Sequence, residues 1–444
     1  MDNEAAADFT IERLGEARYE SPLELSETPG DFKADYTPDD ARIIINPDSA
    51  AIAAAQLGSS QPPSLEVAGA RRRLFFPPEK TRAAIVTCGG LCPGINDAIR
   101  ALVIELWWRY GLREILGIRY GYRGLHPAQL DEALELNPDV VRSIHREGGS
   151  FLYSSRGPQP VEQMADALAS KNIDLLFVIG GDGTQRGALE LVQELKRRKQ
   201  PRAVIGIPKT IDNDISCTER TFGFETAFSI ARDILHCGHT EARCAMNGVG
   251  LVKLMGRHSG FIAARAALAA GEADFVLIPE VPFDLDGPRG FLQALANRLN
   301  QQRHALVVVA EGAGQDLLAT ETSPQRDKSG NFKLADIGPF LKKRIQRHFA
   351  LQELELNLKY IDPSYIIRSA PASAVDAVFC QELAHSAVHA AMSGRTGMIV
   401  GEWNQRQVHI PLAMATAQRK LINPDGAVWR NVVEATGQPA VMKN

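Results

Sequence analysis

The 444-residue chain has little cysteine: six residues, scattered at Cys88, Cys92, Cys217, Cys237, Cys244 and Cys380. That scatter in a long chain offers no disulfide framework, and reduced thiols are expected. Cys88 and Cys92 have no second pair at zinc-ligand spacing, and His236-Cys237-Gly238-His239 has no partner cluster, so packed or surface side chains are expected at both places. No apolar run is long enough to span a bilayer, and Met1-Asp2-Asn3-Glu4 is acidic where a signal or transit peptide would be basic. Met442-Lys443-Asn444 is not a peroxisomal tripeptide. A cytoplasmic protein with no membrane partner is expected. Net charge is small as well, −4, so no global field recruits nucleic acid. The short runs Arg71-Arg72-Arg73 and Lys196-Arg197-Arg198-Lys199 read as solvated faces or local anion contacts.

What the chain does have is 45% hydrophobic residues, enough for a large core and two or three domains. Residues 1–81, rich in Asp, Glu, Pro and Ala, read as an extension partly ordered by docking. From Ala83 short β-branched or apolar runs alternate with helical periods: Ala84–Thr87, Ile115–Ile118, Leu175–Ile179, Ala203–Ile207, Val249–Leu254, Phe275–Ile278 and Leu306–Val309. Strand, loop and helix in repetition predict parallel sheets covered on both faces. The units are too many for one small sheet, so two α/β domains are expected within 82–391, and 392–444 completes the body.

One stretch organises the rest. Phe177-Val178-Ile179-Gly180-Gly181-Asp182-Gly183-Thr184 is a buried strand that ends in glycines and opens a helix, which turns backbone N–H groups and a positive helix end toward one point. A phosphate chain suits that point, and Asp182 carries the hard oxygen that Mg²⁺ prefers. The next turn, Lys209-Thr210-Ile211-Asp212-Asn213-Asp214, brings two more carboxylates to where an open α/β sheet places its ligands. The bland reading of that turn is an Asx-rich strand end.

Together with Cys88-Gly89-Gly90-Leu91-Cys92-Pro93-Gly94-Ile95-Asn96 and Met255-Gly256-Arg257-His258-Ser259-Gly260, these stretches resemble the 6-phosphofructokinase family, in the family's order from about Arg82 to about Asp376. The resemblance implies two parallel-sheet α/β domains of phosphofructokinase type behind an N-terminal extension. It implies ATP and fructose 6-phosphate as substrates, Mg²⁺ as cofactor, and a homodimer or homotetramer. Carried over residue by residue, Gly90, Tyr122, Arg156, Gly181, Asp182, Gly183 and Thr184 seat the nucleotide, with Asp182 as metal ligand. Arg156 reaches the moving phosphoryl, which a guanidinium can hold bidentately. Asn96 is expected to cap its helix.

For the acceptor, Asp212 is the expected general base, needing no large pKa shift, with Thr210 on the sugar. Asp214 supports the metal or the loop. Ile211, Met255, Gly256, Arg257, Glu311, Lys359, Tyr365, Ile366, Ile367 and Arg368 line the sugar-phosphate site, and Glu280 is the competitor of Glu311. Three departures from the common bacterial pattern stand out. Lys359 replaces an arginine, Tyr365 replaces a histidine, and no arginine aligns at Met246-Asn247-Gly248, where relatives carry one that crosses a subunit boundary.

Two positions bear on the donor. Relatives using pyrophosphate carry aspartate where this chain has Gly183, and its bulk and charge repel ATP. Lys209 argues the other way, since pyrophosphate users typically have lysine there. Gly183 with Lys209 resembles the ATP-dependent branch of plants and kinetoplastids, and ATP is the expected donor. Pyrophosphate-dependent transfer is the alternative, and a catalytically silent sugar-phosphate sensor a remote one. NAD and lipid kinases share Gly180–Thr184 but lack the stretch Pro208–Asp214.

Overall fold

The computed structural model describes residues 9–57, 61–318 and 333–444. The acidic Met1–Glu4 lies outside them. The chain forms two compact units, one of Met1–Thr210, Ile215–Gly223 and Ala370–Arg419, the other of Ile211–Asp214, Phe224–Ser369 and Lys420–Asn444. Among the described residues no helix is long and apolar enough to cross a membrane.

The first unit is built on a nine-stranded sheet. Its middle is parallel, in the order Met398–Trp403, Ala203–Pro208, Leu175–Gly180, Arg82–Thr87, Glu114–Ile118. Every residue of Leu175–Gly180 and Ala203–Pro208 is buried, as strands covered on both faces require. The edges depart from the all-parallel expectation. Met398–Trp403 turns back into the antiparallel strand Arg406–Pro411 through Asn404 and Gln405, both at positive φ (47° and 60°), the backbone of a two-residue hairpin turn. Its open edge is then covered by Ser64–Val67 and Arg42–Ile44. The extension therefore supplies two strands of the main sheet, which its composition did not reveal.

A buried polar cluster fastens that extension. Glu66 accepts from His409 (2.9 Å) and from the Arg395 guanidinium, which also pairs with Asp39 at 2.8 Å. Burial works against it, but the hydrogen bonds from His409 and Arg395 and the Arg395 charge hold the Glu66 carboxyl far below its usual range. Burial lowers His409 to about 4, so its ring is neutral at pH 7.

Register decides where the loops emerge. Thr87 pairs with Ile179 and Ile179 with Ile207, so three strands end together and release Cys88–Asn96, Gly181–Thr184 and Lys209–Thr210 at one edge.

The second unit has a four-stranded, wholly parallel sheet, ordered Phe275–Leu277, His304–Ala310, Gly248–Leu254, Asn357–Ile361. One face packs on Ala227, Ala231 and Leu235 of the helix Phe224–Arg243. The other packs on Phe291, Leu295, Leu341 and Ile345 of the helices Phe291–Gln302 and Ile337–Leu351. Leu254 pairs with Ala310, so Met255–Arg257 and Glu311 leave the sheet side by side.

Candidate active site

In the first unit the strand Leu175–Gly180 passes through Gly181 into the helix Asp182–Arg197. The N–H groups of Thr184 and Gln185 turn back to the Gly181 carbonyl at 2.9 and 3.0 Å. Gln185, fully buried, donates to the Gly180 carbonyl at 2.9 Å and fixes the turn from beneath. Asp182 opens the helix with its carboxylate between Arg186 (3.3 Å) and Arg419 (3.2 Å). A Cβ at the exposed Gly183 would meet no heavy atom within 4 Å, so the space over the helix start is open.

The loop after Arg82–Thr87 is tied to the same place. Lys209 is buried, and its ammonium donates to the Gly90 carbonyl at 2.6 Å. Its own backbone N–H donates to Gly180 at 3.0 Å. An Arg156 guanidinium nitrogen lies 3.2 Å from where a Cβ on Gly90 would stand, and Ser154 donates to the Gly89 carbonyl at 2.6 Å. Gly90, Arg156, Gly181–Thr184 and Lys209 are thus gathered at one sheet edge.

Tyr122 and Asn96 support these loops from within. Tyr122 is buried, and its hydroxyl donates to the Thr184 carbonyl at 2.8 Å. It packs beneath the helix start and shapes the loop. Asn96 lies inside the helix Ile95–Ile104, whose N-cap is Gly94. Its amide instead donates to the Glu147 carbonyl (2.9 Å) and accepts from the Phe151 N–H (2.7 Å), bracing the loop that leads to Arg156.

Thr210 ends the first unit, and its carbonyl accepts from Thr221 at 2.6 Å. Ile211–Asp214 belong to the second unit. There the half-buried Asp212 accepts from the backbone N–H of Arg257 at 3.4 Å, and Ser259 donates to the Asp212 carbonyl at 3.0 Å. Gly256, just before, has φ +130°, and a Cβ on it would lie 2.4 Å from the Ser259 carbonyl oxygen, so the approach of this loop to Asp212 depends on glycine. Burial first, then the negative charges of Asp214 and Glu311, push the Asp212 carboxyl up to about 7, against the Arg257 N–H and Arg368. This large shift was not expected from sequence. Burial raises Glu311 too, opposed by Arg368, Lys253 and Arg257. Asp212, Arg257, Glu311 and Arg368 form one electrostatic group of carboxylates faced by guanidinium cations.

Of the other expected sugar-phosphate residues, Tyr365 lies against this group, its ring centroid 5.2 Å from the guanidinium carbon of Arg368. Met255 and Ile367 are buried in the core, and the half-buried Ile211 packs against it. Tyr365 and Ile366 point outward, 83% and 65% exposed. Lys359 is exposed on an edge strand, paired with Gly250, roughly 13 Å short of the strand end where Arg257 begins its loop. Glu280 is a brace: its carboxylate accepts from Gly260 at 3.0 Å and from Ile422 at 2.9 Å. His236 and His239 both face Glu272 (2.6 and 3.3 Å).

Sequence reasoning missed Arg419 and Lys420. Arg419 pairs with Ile215 across an isolated bridge as well as with Asp182. Lys420 donates to Asn213 at 3.1 Å and through its backbone to Asp214 at 3.0 Å. They follow no glycine-rich turn and no motif spacing, so only their charge could have drawn notice.

The family model described as Phosphofructokinase matches residues 82–391. The chain belongs to the phosphofructokinase family. An ATP-dependent 6-phosphofructokinase of Amycolatopsis methanolica is 48% identical over 438 residues, covering 98% of this chain and 95% of that protein. ATP-dependent 6-phosphofructokinase 1 of Arabidopsis thaliana is 45% identical, covering 85% and 79%. Among solved structures, a pyrophosphate-dependent phosphofructokinase from Marinobacter aquaeolei superposes with a TM-score of 0.66 at 22% identity, covering 81% of this chain and 92% of that one. At that identity it bears on the phosphofructokinase fold alone.

Proposed function

We propose that this chain is an ATP-dependent 6-phosphofructokinase, moving the γ-phosphoryl of ATP to the 1-hydroxyl of fructose 6-phosphate to give fructose 1,6-bisphosphate and ADP. The observation that carries the chemistry is Asp212, held by the Arg257 backbone N–H at 3.4 Å with its carboxyl pushed up to about 7 by burial and by Asp214 and Glu311. A base of that strength accepts a hydroxyl proton efficiently at neutral pH. Arg257 and Arg368 are suited to the sugar phosphate, and Glu311 to sugar hydroxyls. Arg156, over Gly90, and the amides at the start of the helix Asp182–Arg197 meet charge that develops on the phosphoryl oxygens.

Mg²⁺ fits Asp182. Among the described residues no group of three or more His, Cys, Asp or Glu side chains could cage a metal, and Asp182 is a carboxylate at a helix start suited to phosphate. One carboxylate plus substrate phosphates is the usual Mg²⁺ donor set. The ion would neutralise phosphate charge there.

ATP is favoured as donor because Gly183 presents no side chain over that open space, and because the full-length relatives are named for ATP. Lys209 favours pyrophosphate as the second reading. Six free thiols accord with a reducing cytoplasm, and a homodimer or homotetramer is the proposed assembly, to be read by light scattering. The test of the chemistry is Asp212→Ser. It lowers kcat by orders of magnitude with sugar-phosphate binding near normal; lost binding with normal turnover contradicts the assignment.

A further inference from the structure

Two exposed tyrosines beside the donor loops take no part in the chemistry above. Tyr120 follows the strand Glu114–Ile118, whose Ile118 pairs with Val86 of Arg82–Thr87, so it emerges at the same sheet edge as Cys88–Asn96. Tyr153 stands three residues before Arg156, a span of roughly 11 Å at most. Their rings stack with centroids 5.0 Å and planes 11° apart. Arg119 sits by both, its guanidinium carbon 5.4 Å from the Tyr120 ring centroid and 5.0 Å from that of Tyr153.

An aromatic pair that serves a core is buried, whereas Tyr120 is 42% and Tyr153 49% exposed. Both also hold left-handed backbone, φ 61° and 57°, a region that bulky side chains rarely occupy. Such strain persists where surrounding bonds over-determine it. Here the Tyr120 N–H donates to the Leu152 carbonyl at 3.0 Å, and the Thr87 hydroxyl donates to the Tyr153 carbonyl at 2.6 Å.

The pair is joined to the phosphate end of the site. The Gly89 N–H donates to the Ser155 carbonyl at 3.0 Å, Ser154 donates back to the Gly89 carbonyl, and Arg156 reaches over Gly90. The strands Leu175–Gly180, Arg82–Thr87 and Glu114–Ile118 are consecutive in the sheet. The helix start at Asp182, the Gly90 loop and Tyr120 therefore stand in a row, roughly 10 Å across at ordinary strand spacing. A nucleotide whose phosphates lie at Gly181–Thr184 and Gly90 brings its base to the far end of that row. A half-exposed aromatic surface suits a nucleobase, which stacks on such rings, and a guanidinium beside it adds a cation–π attraction.

We propose that Tyr120 and Tyr153, with Arg119 beside them, form the platform on which the purine ring of the phosphoryl donor stacks. This rests on the ATP reading given above. The platform touches the base and not the reacting phosphates, so it sets how tightly the donor is held and not how fast its phosphoryl moves.

The test uses the full chain with ADP as probe, titrated calorimetrically in magnesium buffer. Tyr120→Asn and Tyr153→Asn each remove one ring and supply a side chain that takes positive φ readily, which leaves folding intact. Each weakens ADP binding about tenfold, while Tyr153→Phe binds as the unaltered chain does. In kinetic assays the KM for ATP rises by the same factor, and kcat at saturating ATP and the KM for fructose 6-phosphate hold. ADP bound by the Asn variants as tightly as by the unaltered chain overturns the proposal and leaves the ATP reading standing. A kcat that falls with an unmoved KM for ATP shows that the pair only braces the Arg156 loop, and overturns it too. An unaltered chain that binds no ADP overturns the proposal together with the ATP reading.

Discussion

The Lys209 ammonium donates to the carbonyl oxygen of Gly90 at 2.6 Å, a side chain from one strand end closing a loop from another. A buried lysine in this position fixes the Gly89-Gly90 backbone with a charge-assisted bond. Lys209→Met removes it and leaves the Gly90 carbonyl unanswered. The expected result is a KM for ATP raised about tenfold, from a loss of roughly 1.5 kcal/mol, with the KM for fructose 6-phosphate little changed. Steady-state kinetics in both substrates check this, and an unchanged KM for ATP contradicts it.

Asp212 predicts opposite pH trends in activity and stability. As a base it must be ionised, so kcat/KM falls as pH drops below about 7. Its folded pKa lies above the unfolded value, so the folded state binds the extra proton between them. That stabilising contribution is complete below the unfolded pKa of about 4 and is lost as pH rises through the folded value. Asp212→Asn should therefore cut kcat by about 10²–10⁴-fold while raising stability at pH 8 by roughly 1–3 kcal/mol. Urea denaturation at pH 5 and pH 8 reads the second effect; a variant less stable than the parent at pH 8 would count against it.

Gly183→Asp tests the space above the helix start. With no heavy atom within 4 Å of a Cβ there, the substitution should fold with an unchanged melting temperature. The carboxylate would repel the inner phosphates of ATP at short range, so activity with ATP should fall by at least about a hundredfold, equivalent to roughly 2.7 kcal/mol. A melting temperature lowered by several degrees would show that the position serves packing instead.

Arg395 joins the extension to the sheet. Its guanidinium reaches Glu66 and Asp39 and is 1% exposed as a residue. Arg395→Ala leaves the Glu66 carboxylate buried with less compensation, at a cost of roughly 3–5 kcal/mol. Chemical denaturation checks it, and a loss within about 0.5 kcal/mol, typical of a surface change, would refute the structural role.

The donor edge was legible because it rests on local features: an apolar run, then glycines, then a helix. Gly180–Thr184 and the parallel strands around them follow from that pattern. The raised pKa of Asp212 was not legible, because burial, its main cause, and the Glu311 charge are brought to it only by folding of segments distant in sequence. Nor was the burial of Tyr122, since a tyrosine after a glycine reads alike whether it faces a ligand or props a helix. Ser64–Val67 hid its role because alternation in four residues is too short to separate an edge strand from a loop.

The donor itself is the most direct test of the account. Initial rates of fructose 1,6-bisphosphate formation are compared for the purified chain with ATP and with pyrophosphate, at saturating fructose 6-phosphate and magnesium. The account predicts turnover with ATP and little or none with pyrophosphate. Faster turnover with pyrophosphate would contradict it and give Lys209, not Gly183, the deciding part.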